Sequence, residues 1–209
     1  MNCRKSVIYF VVLVVFGFSS IVAAKVNVIE PTFDSAPHKV IQDTTKSVLE
    51  AVTSGLDPVS EPALFVDELS KILDPVIAFD YIARGVMGNY AKQVTAEQVS
   101  QFAKSFKLGL VNTYGNGMSS FSDLTIAVIP PKTPVGDERR VVVVQEISGG
   151  TSTNQVSYSM AKNNQGQWKM INVILNGINL GQTFRGQFDA EVKRNKGDVI
   201  KTINEWGKR

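Results

Sequence analysis

Past its first few residues the chain has no cysteine. Cys3 is the only one, so beyond residue 24 disulfides, thiol catalysis and cysteine metal sites are excluded. Histidine is nearly absent as well, with His38 standing alone. A histidine-based triad needs an orienting carboxylate and a nucleophile close by, and His38 sits beside the N-terminal arm. A transition-metal site has no ligand set to draw on. No cofactor is expected. An excess of one charge is also missing. Setting aside Arg4 and Lys5 leaves 20 Lys and Arg against 19 Asp and Glu, which is no footprint for nucleic acid. Lys193, Arg194, Lys196 and Lys201 read as a solvated helix face. No glycine loop cradles phosphate, since Gly115-Asn-Gly117 leads into a strand and not a helix.

Long apolar runs are confined to the start. Arg4 and Lys5 precede a 12-residue apolar run, residues 7–18. Ile21-Val-Ala-Ala24 then supplies a small-residue cleavage pattern. The run is short for a membrane span of ~20 residues. Residues 1–24 therefore read as a secretory signal peptide and residues 25–209 as one mature domain. Cys3 is not at the cleavage point, so lipid attachment there is not expected. An exported domain without disulfides must rest on an ordinary core, and this length supports one. That combination suits a periplasm.

The clearest pattern lies at residues 79–118. Phe79, Ile82, Val86 and Tyr90 form one helical stripe, and Val99, Phe102, Phe106, Leu110, Tyr114 and Met118 a second. Between them Thr95-Ala-Glu-Gln98 is a capping box. The second helix is expected to end at Gly115-Asn-Gly117. Upstream, residues 25–37 read as a loose arm and residues 38–52 as a helix with Val40, Ile41, Val48, Leu49 and Val52 inward. A turn at Asp57-Pro58 leads to a helix over residues 61–73, capped by Ser60, with Leu64, Phe65, Leu69, Ile72 and Leu73 inward.

Downstream the period changes to two. Strands are predicted over residues 123–129, 139–147, 154–162 and 167–175. The second holds four consecutive valines and reads as central and buried on both faces. In the fourth, Trp168, Met170 and Ile174 alternate with Ile171, Val173 and Leu175. Short connections imply an antiparallel meander, closed at Gly177. Two helices follow, one with Leu180, Phe184, Phe188 and Val192 on a face. The other is capped by Asp198 and carries Val199, Ile203 and Trp206. The fold class is α+β, a single domain with a curled four-stranded antiparallel sheet against several helices.

A carboxylate enzyme is one functional class open to such a fold, with an Asp base and a Tyr donor as in isomerases. Asp80 and Tyr81 are the nearest candidates, but neighbours on a helix diverge by about 100°. Gly85 and Gly88 sit inside the first helix at a cost of about 1 kcal/mol each, and Gly109 does the same in the second. Either they allow close packing, or they leave a notch for a bound chain.

At these residues the chain resembles a known family. Phe79-Asp-Tyr-Ile-Ala-Arg-Gly-Val-Met-Gly-Asn-Tyr90, then Thr95-Ala-Glu-Gln98 and the Phe102 to Tyr114 stretch, are similar to the MlaC family, also called the toluene-tolerance auxiliary component. Gly166-Gln-Trp168 leading to Gly177 and Leu180, and the segments from Phe184 to Phe188 and Lys193 to Asp198, fit in the same order. Where the family usually has an acid before that glycine, this chain has Asn176. An ion pair or partner contact through the acid does not carry over, whereas apolar lipid binding does. The resemblance implies a periplasmic phospholipid carrier of a Gram-negative bacterium, without catalysis. It would exchange lipid between an outer-membrane lipoprotein complex and an inner-membrane ABC transporter complex with its lipid-binding subunit. Outer-membrane lipid asymmetry would be maintained in this way. A monomer is expected.

Exposing two tails of ~30 methylenes would cost roughly 24 kcal/mol, so a carrier needs an apolar lipid cavity between sheet and helices. The lining expected from the helices is Val86, Met87, Tyr90, Phe106, Leu110 and Tyr114. From the sheet it is Val142, Val144, Tyr158, Met160, Trp168 and Val173, and from the late turn Ile178, Leu180 and Phe184. Arg84 and Arg185 adjoin these segments and are headgroup candidates.

Overall fold

The four valines do sit mid-sheet, but only one face of their strand is buried. The computed structural model describes residues 27–29, 36–53, 60–118, 124–133, 135–149 and 152–207, without the side chains of 27–29 and 112–118. Residues 1–24, the Asp57-Pro58 turn and the Tyr114 side chain lie outside the described residues. The sheet runs in the order β1 (Asn27–Ile29), β2 (Thr125–Val128), β3 (Arg140–Gly149), β4 (Ser152–Lys162), β5 (Trp168–Leu175) and β6 (Ile178–Asn179). From β2 to β6 every neighbour is antiparallel, as the meander requires.

Two short edge strands extend the expected four. Residues 27–29, read as loose arm, pair in parallel with β2, where backbone pairing needs no side-chain periodicity. Gly177 does not close the sheet. Asn176 and Gly177 both have positive φ, 48° and 82°, and this two-residue turn folds β6 back onto β5. Asn-Gly is the strongest short hairpin signal because both central residues must be left-handed. Asn176 also accepts from the Gln155 backbone N–H at 2.8 Å and donates to Asn154 Oδ1 at 2.8 Å.

The helices are α1 (Ala36–Thr53), α2 (Pro62–Leu73), α3 (Phe79–Met87), α4 (Ala96–Met118), α5 (Leu180–Arg194) and α6 (Val199–Glu205). A 3-10 turn, Gly88–Lys92, joins α3 to α4. The capping box forms as read, with the Gln98 N–H donating to Thr95 Oγ1 at 3.3 Å and the Thr95 N–H to Gln98 Oε1 at 2.9 Å. Asp198 caps α6 by accepting from the Lys201 N–H at 2.8 Å. Three local expectations fail. Glu61, not Ser60, is the N-cap of α2, and it makes no side-chain cap bond; Pro62 at the first position removes one donor that would need a cap. Leu64 is 56% exposed. And α4 continues through Gly115 and Gly117 to Met118, because a helical glycine costs about 1 kcal/mol but, unlike proline, keeps its hydrogen bond.

Among the described residues, three apolar clusters hold the fold. The first is purely helical: Val86, Met87, Val99, Phe102, Phe106, Phe188, Val192, Val199 and Ile203, with Trp206 against it. Phe102 lies edge-on to Phe188 at 4.9 Å and to Trp206 at 5.3 Å, and Phe106 edge-on to Phe184 at 5.0 Å. Such pairs add roughly 0.5–1.5 kcal/mol beyond area burial. The partner of the α3–α4 stripe is therefore α5 and α6. The second cluster packs α1 on one sheet face, through Ile41, Val128, Val143, Met160, Trp168 and Met170. The third joins α1, α2 and α4 through Ala51, Phe65, Leu69 and Val111.

Within the α1 face Gln145 is a buried amide. Its Nε2 donates to Thr45 Oγ1 at 2.9 Å, and its Oε1 accepts from the Tyr158 hydroxyl at 2.8 Å. Burial pushes the Tyr158 phenol up, so it remains a donor. His38, in the first turn of α1, is also buried, and burial lowers its pKa from the ordinary 6.5. The unfolded chain then binds a proton that the folded chain refuses until lower pH, so stability falls as pH drops through this window. Urea unfolding from about pH 7.5 to about pH 5.5 is expected to show constant stability above ~6.5 and a decline below it, with a shallower decline in His38→Gln. Parallel profiles for the two proteins would assign the decline to other groups.

Candidate functional site

Both walls of the cleft are fixed to β5. Just before α3, the Ala78 N–H donates to the Met170 carbonyl at 3.0 Å, and the Met170 N–H donates to the Val76 carbonyl at 2.8 Å. This pins the start of α3 to the sheet. At α5 the link is a side chain. Asn172 Nδ2 donates to Asn179 Oδ1 at 3.1 Å, and Asn172 Oδ1 accepts from the Gly181 N–H at 3.2 Å. Asn179 caps α5 by accepting from the Gln182 N–H at 3.1 Å. A Cβ at position 181 would come within 2.6 Å of Asn172 Oδ1, so Gly181 is what lets the helix begin this close.

A register shift on β5 aims the strand into the cleft. Asn172 pairs with Ser159 and Met170 with Met160, leaving Ile171 unmatched. A bulge of this kind re-aims a side chain. It puts Met170 and Val173 in one cluster, where strict alternation had assigned them to opposite faces, and it brings Ile171 into the cleft wall.

The cleft has a volume of about 550 Å³, inside the ~300–1,000 Å³ range of small-ligand sites. Its apolar lining comes from Ile82 and Val86 of α3 and from Val141, Val142, Met160 and Ile171 of the sheet, with Tyr81 at its side. Val142, 59% exposed, is the open face of the central strand. Gly85 also lines the cleft, and a Cβ there would meet nothing within 4 Å. Polar groups come from Arg140, Ser159, Asn172, Asn179, Gln182 and Arg185. Among the described lining residues there is no Asp or Glu.

The residues expected to line a cavity are split three ways. Val142 lines the cleft with an open face, while Val86 and Met160 border it from within the helical and α1-face clusters. Met87 and Phe106 are buried in the helical cluster, with Tyr90, Leu110 and Phe184 packed against it. Tyr158, Trp168 and Val173 belong to the α1 face of the sheet. The register pairs Val143 with Tyr158, so Val142 and Val144 point to the opposite face from Tyr158. Leu180 is half-buried at the start of α5, and Ile178 is 44% exposed. The Tyr90 hydroxyl donates to Asp189 Oδ1 at 2.9 Å, which raises the phenol pKa.

Of the two arginine candidates, Arg185 lines the cleft and Arg84 does not. Arg140 was not anticipated; as the first residue of β3 it carried no periodic signal. The glycines separate as well. Gly85 faces open space, whereas Gly88 has φ +58° and a Cβ there would sit 2.6 Å from Arg185 Nε. Gly88 is required by its positive-φ backbone, and the end of the Arg185 side chain occupies the space beside it. Asp80, the candidate base, is exposed and outside the cleft, accepting from Ser100 Oγ at 3.3 Å. No helix among the described residues is long and apolar enough to cross a membrane.

Comparison with known proteins gives this geometry a context. In structure the chain is similar to a phospholipid-binding protein from Ralstonia solanacearum, solved in complex with a phospholipid. The TM-score is 0.72 at 22% identity, over 83% of this chain and 97% of that one. In sequence it is 36% identical, over 81% of this chain and 79% of the relative, to the toluene tolerance protein ttg2D of Pseudomonas putida. It is 20% identical, over 70% of each chain, to the intermembrane phospholipid transport system binding protein MlaC of Haemophilus influenzae. The family model described as MlaC protein matches residues 42–208, and with that span and the Pseudomonas relative the chain belongs to the MlaC family.

Proposed function

We propose that this protein is a periplasmic phospholipid carrier. It takes lipid between an outer-membrane lipoprotein complex and an inner-membrane ABC transporter complex with its lipid-binding subunit, and so maintains outer-membrane lipid asymmetry. Residues 1–24 act as its cleaved signal peptide and residues 25–209 as the lipid-binding domain. The observation that carries this reading is the cleft, with apolar residues on two sides and arginines among its polar groups. A relative named for phospholipid transport and a fold neighbour solved with a phospholipid support it.

The physics is that of a tail kept from water. A chain of ~15 methylenes gains roughly 12 kcal/mol on leaving water. Ile82, Val142 and Ile171 offer the apolar surface, with Val86, Val141 and Met160 packed behind it. The open side leaves a headgroup in solvent, so the lipid can leave on meeting a partner with a better site. The cleft offers no carboxylate base among its described residues, and the reading invokes no catalysis.

Mature protein purified without added lipid is expected to give a native mass spectrum with one or two phospholipids per chain, identified after denaturation. A protein that carries no lipid, and takes none from vesicles, contradicts the reading. Gly85→Leu is expected to fill the cleft and lower bound lipid several-fold. Thermal stability should hold or rise, because the helix loses a glycine worth about 1 kcal/mol and the new Cβ meets nothing. Gly88→Leu should instead lower stability, through its positive φ. Undiminished lipid in Gly85→Leu would place the tails elsewhere.

A further inference from the structure

Some cations of this chain are ion-paired, and others, Arg84 and Arg139 among them, have no ion pair among the described residues; what sets two arginines apart is the cleft they line. Lys39, Lys71, Lys107, Lys193 and Arg194 each have a carboxylate partner. Arg140 and Arg185 have no ion pair among the described residues, although they line one cavity. Arg140 opens β3, at the exposed end of the strand that carries Val142. Arg185 lies on α5, the helix held to the sheet through Asn172. Its guanidinium rests where a side chain from Gly88 would otherwise be, since a Cβ there would lie 2.6 Å from Nε and 2.8 Å from Nη2. Two cations are thus placed in one partly apolar cleft with no described carboxylate in its lining.

We propose that Arg140 and Arg185 form a phosphate subsite for the headgroup of a phospholipid whose tail occupies the cleft, and that they select lipids of net negative charge. This rests on the carrier reading. A guanidinium presents a planar fork of donors that matches a phosphate bidentately. Asn172, Ser159 and Gln182 line the same cleft and bring further polar groups. Every phospholipid offers the phosphate. A zwitterionic lipid also brings an ammonium, which meets two like charges and no described carboxylate in the lining. A glycerol headgroup brings no such charge. The subsite thus favours phosphatidylglycerol over phosphatidylcholine, while the apolar wall treats their tails alike. Arg140 and Arg185 are both exposed, so their contributions are screened by salt.

The test is a competition. Delipidated mature protein is mixed with vesicles holding equal phosphatidylglycerol and phosphatidylcholine of the same chains, and the lipids bound to re-isolated protein are counted by mass spectrometry. Wild type is expected to favour phosphatidylglycerol by about threefold, the size that exposed charge pairs reach, with the preference shrinking as salt rises. Arg140→Gln should weaken it, Arg140→Gln with Arg185→Gln should abolish it, and Arg140→Lys should largely restore it. Total lipid per chain should fall in the double variant, because both lipids offer the phosphate, and the ratio of the two lipids is read separately from that total. Arg140→Gln alters an exposed strand end, so it remains informative if the double variant does not fold. Equal uptake of both lipids by wild type, or an undiminished preference in the variants, overturns the subsite while leaving the carrier reading standing. Uptake of neither lipid overturns both. Inorganic phosphate titrated into the delipidated protein separates the sources: a phosphate isotherm lost in the double variant, with the lipid ratio unchanged, assigns the pair to free phosphate and overturns the headgroup assignment.

Discussion

The attachment of two helices to one strand is the constraint on which the cleft depends. β5 holds α3 by backbone pairing at Met170 and α5 by the side-chain amide of Asn172. α5 meets α4 through Phe106 with Phe184 and through Phe102 with Phe188, and α3 joins the same cluster through Val86 and Met87. The helical layer is thus welded within itself and tied to the sheet along β5. Its aromatic core satisfies the helices without the sheet, and α1 covers the other sheet face through Ile41. A portion of β3, β4 and β5 is left with no helix of its own, and that is where Val142 and Ile171 meet the cleft.

Leaving apolar surface open has a cost, since large exposed apolar patches in soluble proteins usually mark an interaction site. The arrangement suits a carrier that must release as well as bind. A sealed cavity would hold a tail more firmly but would need local opening on every exchange. On the proposed function, an open cleft of about 550 Å³ would keep the headgroup wet and the tail accessible. Gly85 keeps the α3 side of the cleft bare, which is a different role from Gly88, whose positive φ is a matter of backbone geometry.

Much of the fold was legible because its signals are local. The capping box at Thr95, the cap at Asp198, the stripes of α3 to α6 and the four-strand meander follow from helical and strand periods. The site was less legible because it depends on register and pairing across distance. Val142 was anticipated for one reason, that it is apolar on the right element, and the same reason selected Phe106, Trp168 and Tyr158, which belong to closed clusters, and Val86 and Met160, which only border the cleft from within them. Residue type cannot separate core from lining. The bulge that leaves Ile171 unmatched has no periodic trace in the sequence, and Arg140 acquires its place only when the start of β3 and α5 border one cleft. The Asn176-Gly177 turn was different: its signal was present, and the reading of Gly177 as the end of the sheet passed over it.

The central claim is that lipid tails lie between α3 and the sheet, not inside the helical cluster. It can be tested by loading the methyl-labelled protein with a phospholipid whose acyl chain carries a nitroxide, and reading paramagnetic broadening by NMR. The account predicts strong broadening at the methyls of Ile82, Val142 and Ile171, and weak broadening at Val192 and Ile203. Broadening centred on Val192 and Ile203, or no broadening in either group, would contradict it.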